Sequence, residues 1–259
     1  MTEAASAAAL AEQYDDVSAE TITLDVRGQH CPAQVFRPIR AGLFPAVAIG
    51  AEATGPNAFI RRVAATLAHL GYVTVVPDYY HGDGPPDPEN PEDIETLMRY
   101  MAALDFRRAA YDLMAGVDYL KGRPDVDGRR LGVWGYCTGA TVALLAACLR
   151  TDVAATVLFY PSQPRFEALD VNKPAHPVDL VWNLTSAVLL LVGAEDFVWP
   201  PELLTELQGR LEQWRIEHVI NVYPGAGHAF CAPSPMFHHA AAETAAWAHA
   251  LHHLAVHLR

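Results

Sequence analysis

The chain alternates strand-like and helix-like segments over most of its length, and this order constrains its fold more than any single residue does. The strand-like runs span residues 47–50, 73–77, 131–135, 154–160, 187–193 and 217–223. The helix-like segments span residues 57–70, 106–121, 140–149, 202–215 and 237–258. Such alternation is typical of a mostly parallel sheet with helices on both faces. The sequence therefore predicts an α/β fold.

The N-terminal part of the chain departs from this pattern. Residues 21–26 and 33–37 flank Gly28 and predict an antiparallel hairpin at one edge of the sheet. A chain of 259 residues with 51% hydrophobic content can bury one large core. We predict a single domain over residues 16–259. Residues 1–15 lack both the basic start and the sustained apolar stretch of a signal peptide, and they predict a disordered tail.

A cysteine between glycines follows the strand-like run at 131–135, in the segment Gly135-Tyr-Cys137-Thr-Gly139. Helix formers follow at once, so the segment predicts a strand, a tight turn and a helix. This context is typical of a nucleophile elbow, in which small neighbours let strand and helix pack closely while the nucleophile projects upward. The alternative is a plain β-to-α turn with a buried, inert cysteine.

An acid and a histidine follow Cys137 in the order that such a nucleophile needs. Asp196 comes just after the apolar run 187–193, and His228 lies in a glycine-rich loop after the run 217–223. Open parallel sheets bind ligands at the carboxyl ends of their strands. We therefore predict that Cys137, His228 and Asp196 meet there as nucleophile, base and orienting acid.

The chain resembles the dienelactone hydrolase family of α/β-hydrolases, from about residue 20 to its end. The segments that carry the resemblance are Gly135-Tyr-Cys-Thr-Gly139, Gly193-Ala-Glu-Asp196, Gly227-His-Ala-Phe230, Ala51-Glu-Ala-Thr-Gly-Pro-Asn57 and Gly71-Tyr-Val-Thr-Val-Val-Pro-Asp-Tyr-Tyr80. The resemblance implies an α/β-hydrolase fold, Cys137 as nucleophile, His228 as base and acid, and Asp196 as orienter. It also implies that Glu52 contacts the resting thiol.

Glu52 follows the apolar run 45–49, so a carboxylate there would lie over the sheet. An ordinary thiol has a pKa of about 8.5 and is mostly protonated near neutrality. In the family that the chain resembles, the glutamate and the histidine share control of that proton, which implies a thiol-gating role for Glu52. The alternative is an exposed loop carboxylate. The backbone amides of Ala53 and Thr138 are the predicted oxyanion hole.

The substrate expectation comes from two departures from the family. Its members that act on carboxylate-bearing lactones resemble one another in an arginine four residues after the histidine, where this chain has Ala232. A second family arginine has no clear counterpart in residues 93–99. Because arginine is the natural clamp for a carboxylate, we expect a more neutral, apolar ester or lactone. The candidate pocket walls are Tyr80, Met98, Met101, Trp199 and Phe230, with ordinary core packing as the alternative for each.

Composition excludes several other classes of protein. A formal net charge of −12 disfavours nucleic acid and anionic membranes as partners. No apolar run reaches the length of a membrane span. Four cysteines without paired spacing predict a reducing, cytoplasmic location. The spacing of Cys31, Cys231 and the histidines provides no second ligand pair, so we predict no metal and no cofactor. The oligomeric expectation is a monomer or a small homo-oligomer.

The sequence thus predicts a cysteine-dependent hydrolase of a small-molecule ester or lactone that works through a thioester acyl-enzyme. One alternative is an acyltransferase or cyclase of a biosynthetic pathway that uses the same three residues. Another is a ligand-binding protein that keeps the hydrolase fold without catalysis. A third is a redox-sensing cysteine protein, which the lack of a resolving cysteine near Cys137 in sequence disfavours.

Overall fold

A computed structural model describes residues 14–258, and these form one sheet with helices packed against it. The strands within these residues are β1 (Val17–Val26), β2 (Gln29–Pro38), β3 (Phe44–Gly50), β4 (Val73–Pro77), β5 (Val126–Tyr136), β6 (Ala155–Phe159), β7 (Ala187–Gly193) and β8 (His218–Tyr223). The α-helices are α1 (Ala58–His69), α2 (Ile94–Ala103), α3 (Phe106–Lys121), α4 (Thr138–Cys148), α5 (Pro201–Gln213) and α6 (Ala240–His257). Two 3-10 helices, Pro177–Asp179 and Val181–Asn183, precede β7. Most of the tail predicted over residues 1–15 lies outside the described residues.

The eight strands lie in the order β1-β2-β4-β3-β5-β6-β7-β8. The hairpin β1–β2 is antiparallel, and β2 also pairs antiparallel with β4. From β4 to β8 every pairing is parallel. This architecture confirms the predicted α/β-hydrolase fold with its antiparallel N-terminal hairpin. The carboxyl ends of β3, β5, β7 and β8 consequently meet at one edge, where a ligand can reach the loops that follow them.

The core lies on both faces of the parallel strands. Every residue of β7 is buried, and so is every residue of α4. A helix that is apolar all round is typically buried, and α4 packs against β3, β5 and β6. The fully buried ring of Trp134 in β5 packs against Phe159 of β6 and Trp247 of α6. The strand that leads into Cys137 is therefore held from both sides.

Helix α2 is the element that the sequence does not predict. Asp93 caps it by accepting a hydrogen bond from the Thr96 amide at 3.1 Å. Met101 is its one buried residue, whereas Ile94 and Met98 are exposed. Since its apolar side chains do not face the core, they give a weak signal among the prolines and acids of the preceding loop.

Candidate active site

The cysteine turn between β5 and α4 has the backbone conformation of a nucleophile elbow. Cys137 has φ 48° and ψ −114°, a strained combination for a residue with a side chain. A Cβ at Gly135 would lie 2.3 Å from the carbonyl oxygen of Gly139. A Cβ at Gly139 would lie 2.2 Å from the backbone of Gly50 and Ala51. Both glycines are therefore required for the close approach of strand and helix.

His228 and Asp196 reach Cys137 from the loops after β8 and β7. The His228 Nδ1 lies 2.9 Å from Asp196 Oδ2, and its Nε2 lies 3.2 Å from Cys137 Sγ. The other carboxylate oxygen of Asp196 accepts a hydrogen bond from the Val198 amide at 2.9 Å. The carboxylate is thereby fixed on both oxygens and orients the imidazole toward the thiol.

The electrostatics of this group favour the protonated, positively charged form of the His228 imidazole. Burial lowers the pKa of His228, but a charge on Cys137 and hydrogen bonds to Asp196 and Cys137 overcome that effect and raise the pKa to about 10. An imidazole of this kind can take the proton of the thiol and retain it until a leaving group needs it. Of the four cysteines, all free, Cys137 is partly exposed and the other three are buried.

Glu52 lies just beyond β3, and its side chain is buried at the cavity that contains Cys137. Its Oε1 accepts hydrogen bonds from Asn57 Nδ2 at 2.7 Å and from Thr54 Oγ1 at 3.2 Å. Burial raises its pKa despite these two donors. Within residues 14–258 its carboxylate makes no hydrogen bond to Cys137. The two side chains share a cavity, and the thiol-gating role stays a prediction.

The amides of Ala53 and Thr138 come from adjoining segments. Thr138 is the first residue of α4, so its amide precedes the hydrogen-bond ladder of the helix. Tyr79 donates a hydrogen bond from its hydroxyl to the Glu52 carbonyl at 2.6 Å, which fixes the peptide unit that carries the Ala53 amide. Ala53 lines the cavity that contains Cys137. Their assignment as an oxyanion hole also stays a prediction.

A cavity of about 500 Å³ opens above the thiol. Its apolar walls are Ala53, Pro91, Ile94, Leu97, Met98, Met101, Phe197, Val198, Ala229, Ala232 and Phe237. Its polar walls are Glu52, Thr54, Cys137, Ser162, Gln163, Arg165, Glu167 and His228. Met98 and Met101, both candidate walls in the sequence analysis, thus lie at the cavity, as does Ala232.

The other three candidate walls are not among the residues that line this cavity. Tyr80 lines a neighbouring depression with Asp78 and Gly84. Trp199 is buried and donates its Nε1 hydrogen to the carbonyl of Pro161 at 2.8 Å. Phe230 is fully buried among aromatic rings. Periodicity marks such residues as apolar, but it does not show whether they face a cavity or the core.

Phe197 is a cavity residue that the sequence analysis did not identify. It directly follows Asp196, its side chain is 84% exposed, and its ring centroid lies 5.9 Å from that of His228. A large apolar residue so exposed at the opening of a pocket is an expected contact for an apolar ligand. In the sequence, its position directly after the candidate acid is the feature that could identify Phe197 as a cavity residue.

An eight-stranded sheet with a strained cysteine elbow, and with histidine and aspartate at later strand ends, places this protein among the α/β-hydrolases with a cysteine at the elbow. The sequence profile of the dienelactone hydrolase family matches residues 31–258, and the chain belongs to that family. The names of the family and of its relatives support a lactone or ester hydrolase.

The relatives cover nearly the whole chain. A Bradyrhizobium protein named "Probable 2-oxo-3-(5-oxofuran-2-ylidene)propanoate lactonase" is 32% identical, over 93% of this chain and 98% of its own. A "Putative carboxymethylenebutenolidase" of Escherichia coli K12 is 30% identical, over 88% of this chain and 84% of its own. The crystal structure of a "Putative Dienelactone Hydrolase" from Klebsiella pneumoniae superposes with a TM-score of 0.80 at 28% identity, covering 92% of this chain and 98% of that one. Within residues 14–258, no helix is both long and apolar enough to cross a bilayer.

Proposed function

We propose that this protein hydrolyses a neutral, largely apolar lactone or ester through a thioester on Cys137. The observation that carries the proposal is the continuous chain of contacts from Asp196 through His228 to the Cys137 sulfur, at the floor of the cavity. Nucleophile, base and orienting acid within hydrogen-bond reach of one another form the arrangement that acyl transfer requires.

In the acylation step, His228 Nε2 takes the proton of the Cys137 thiol, and the sulfur attacks the carbonyl carbon of the substrate. The Ala53 and Thr138 amides stabilise the oxyanion. The carbon–oxygen bond of the ester then breaks, and the leaving oxygen takes the proton from His228. When a lactone ring opens, the new hydroxyl group stays on the acyl group that is bound to Cys137, whereas an ordinary ester releases its alcohol.

In the deacylation step, His228 takes a proton from water and the resulting hydroxide attacks the thioester carbonyl. The carbon–sulfur bond breaks, and the departing sulfur regains its proton or remains a thiolate paired with the imidazolium. Asp196 keeps the ring in one orientation throughout and stabilises its positive charge. Over the two steps, one water molecule is consumed for each ester bond cleaved.

The walls of the cavity support a substrate without a carboxylate. The name of the Bradyrhizobium relative describes its lactone as a propanoate, which is a carboxylate. Among the described residues that line the cavity here, Arg165 is the one arginine. Its guanidinium already contacts Asp179 and Glu206. An arginine paired with two carboxylates is a poor clamp for a third, and Ala232 offers only a methyl group.

The test compares the wild-type protein, Cys137→Ala and Cys148→Ala on matched neutral and carboxylate-bearing lactones and esters, with products identified by mass. We expect cleavage of the neutral members with addition of one water, loss of at least three orders of magnitude in kcat for Cys137→Ala, and wild-type rates for Cys148→Ala. Cys148 is a matched control because it is a buried cysteine at the far end of α4.

Residual turnover near wild type in Cys137→Ala would exclude the nucleophile assignment. Products without added water would indicate an acyltransferase or cyclase. Failure of an activated ester to label Cys137, together with no cleavage of any member, would indicate a ligand-binding protein. Preference for carboxylate-bearing members would contradict the substrate proposal but leave the mechanism intact.

A further inference from the structure

A second group of chemically reactive side chains lies outside the candidate active site. Cys31 is on β2, His81 is in the loop after β4, and Asp112 is on α3. Sulfur, imidazole nitrogen and carboxylate oxygen all lie within 4.8 Å of one another. Sequence spacing gives no indication of this group, because its members are far apart along the chain.

The group is buried but not fully satisfied. Cys31 and the Asp112 side chain are completely buried, and the His81 side chain is 15% exposed. His81 Nε2 lies 3.0 Å from Asp112 Oδ2. The second carboxylate oxygen, Oδ1, is buried and has no hydrogen-bond partner within residues 14–258. An unpartnered buried carboxylate oxygen is costly, and a cation is a suitable partner for it.

The surrounding charges favour a divalent cation. Asp112 and Asp78 both act on Cys31 as negative charges, and Arg108 acts on it as a positive charge. With the thiol ionised, three negative charges and one positive charge would remain, so an ion of charge +2 would bring the group to neutrality.

We propose that Cys31, His81 and Asp112 form a binding site for a divalent transition metal of the zinc type. One thiolate sulfur, one imidazole nitrogen and one carboxylate oxygen are the ligand classes that Zn²⁺ takes in proteins. Three protein ligands leave the fourth position of a tetrahedron to water. Bond lengths of about 2.0 to 2.3 Å would require the ligand atoms to shift by on the order of 1 Å.

Metal binding at this group balances by release of a proton. The Cys31 thiol loses its proton to solvent as the metal–sulfur bond forms. Neutral His81 carries its remaining hydrogen on Nδ1, so that Nε2 has a free lone pair for the metal. The present contact between His81 Nε2 and Asp112 is thereby replaced by two bonds to one ion.

This group is not a second nucleophilic site. The Cys31 sulfur is completely buried and lies 3.5 Å from the carbonyl oxygens of Pro32 and Asp78. It is not among the residues that line the cavity above Cys137. A metal held here would connect β2, the loop after β4 and α3, and so stabilise the fold rather than take part in the reaction.

The experiment uses the full chain carrying Cys137→Ala, so that the candidate nucleophile cannot hold the metal. After removal of metal with a chelator, Zn²⁺ is titrated by calorimetry, and Co²⁺ is added separately to record its absorption spectrum. We expect one equivalent of Zn²⁺ to bind with a rise in Tm, and a sulfur-to-cobalt charge-transfer band with Co²⁺.

Two further variants identify the ligands. His81→Asn changes a partly exposed loop residue with φ 56°, a conformation that asparagine tolerates, so the fold should survive. Cys31→Ala removes the sulfur, and Cys148→Ala removes an unrelated buried sulfur as its control. Both ligand variants should weaken Zn²⁺ binding by about 100-fold or more, since loss of even an indirect contact to a metal costs 10- to 100-fold.

The proposal is overturned if the Cys137→Ala protein binds no Zn²⁺. It is also overturned if binding is unchanged in His81→Asn, because the ion would then lie elsewhere, such as near the histidines of α6. The proposal is likewise overturned if the cobalt spectrum has no sulfur-to-cobalt band, or if the Cys31→Ala variant retains that band. All these readouts concern binding and are independent of the proposed hydrolase activity.

Discussion

At the scale of single residues, the candidate site depends on what each buried carboxylate contacts. Asp196 contacts the imidazole, whereas Glu52 contacts the Asn57 amide and the Thr54 hydroxyl. One carboxylate therefore supports positive charge on His228, whereas the other is held by two neutral donors in the cavity that contains Cys137. The sequence predicts both residue types at strand ends, but hydrogen-bond partners depend on side-chain conformations that it does not specify.

If the charge of Glu52 opposes ionisation of the thiol, its removal should activate Cys137. Glu52→Gln keeps the size of the side chain and an oxygen for the Asn57 amide. We expect alkylation of Cys137 by iodoacetamide at pH 7 to become several-fold to tenfold faster, since a like charge disfavours the thiolate. Mass spectrometry gives the rate, and Glu167→Gln, an exposed carboxylate at the same cavity, is the control. An unchanged or slower rate would contradict the gating role.

Ala232 offers a direct test of substrate charge. Ala232→Arg should raise the ratio of kcat/KM for carboxylate-bearing over neutral lactones by about 10- to 100-fold, since a hydrogen bond to a charged group contributes about 1.5–3 kcal/mol. Ala232→Met adds bulk without charge and should lower both rates without changing their ratio. If the methionine variant shifts the ratio equally, shape rather than charge determines the preference.

At the scale of elements, the elbow depends on close approach of backbones. Gly139→Ala would place a methyl group 2.2 Å from the backbone at the end of β3, and this overpacking should cost about 1–3 kcal/mol in the free energy of unfolding. Gly209 in α5 is exposed and has no atom within 4 Å of an added Cβ. Gly209→Ala should therefore stabilise the protein by about 0.5–1 kcal/mol. Urea unfolding measures both, and equal effects of the two substitutions would refute the packing argument.

Elements buried on both faces are the ones that the sequence predicts well. Runs such as Ala187–Gly193 have no polar face and end at a glycine that two carboxylates soon follow, so both the strand and the loop after it are recognisable. Helix α2 is not predicted because it buries one residue. The Cys31, His81 and Asp112 group is not predicted because several strands and helices separate its members along the chain, and only the folded topology brings them together.

At the scale of the whole molecule, α6 fixes the last part of the chain to the sheet through a buried histidine. His253 is 6% exposed, and its Nε2 lies 3.2 Å from the carbonyl oxygen of Ala187 at the start of β7. Burial and the neighbouring His257 lower the pKa of His253 to about 4. Both protonation states of the imidazole can donate to the carbonyl, but a charged ring would be buried next to His257, so acid should weaken the attachment of α6.

Proton linkage gives the direction in which the stability of the protein changes with pH. Between pH 6.5 and pH 4 the unfolded histidine binds a proton that the folded one does not. The free energy of unfolding therefore decreases by about 1.4 kcal/mol for each unit by which the pH is lowered. His253→Gln should remove this part of the slope, measured by urea unfolding at several pH values. His252→Gln, an exposed neighbour, should leave it unchanged. A wild-type slope in His253→Gln would show that the histidine is already protonated in the folded protein.

The order of the strands also has a consequence for synthesis of the protein. From β5 onward, each new strand is added beside the previous one, and the sheet grows outward in the order in which the ribosome releases the chain. The elbow cysteine emerges long before the aspartate and the histidine that would activate it. A nascent chain therefore carries an unactivated thiol, and it becomes chemically competent only when the loop after the outermost strand has folded.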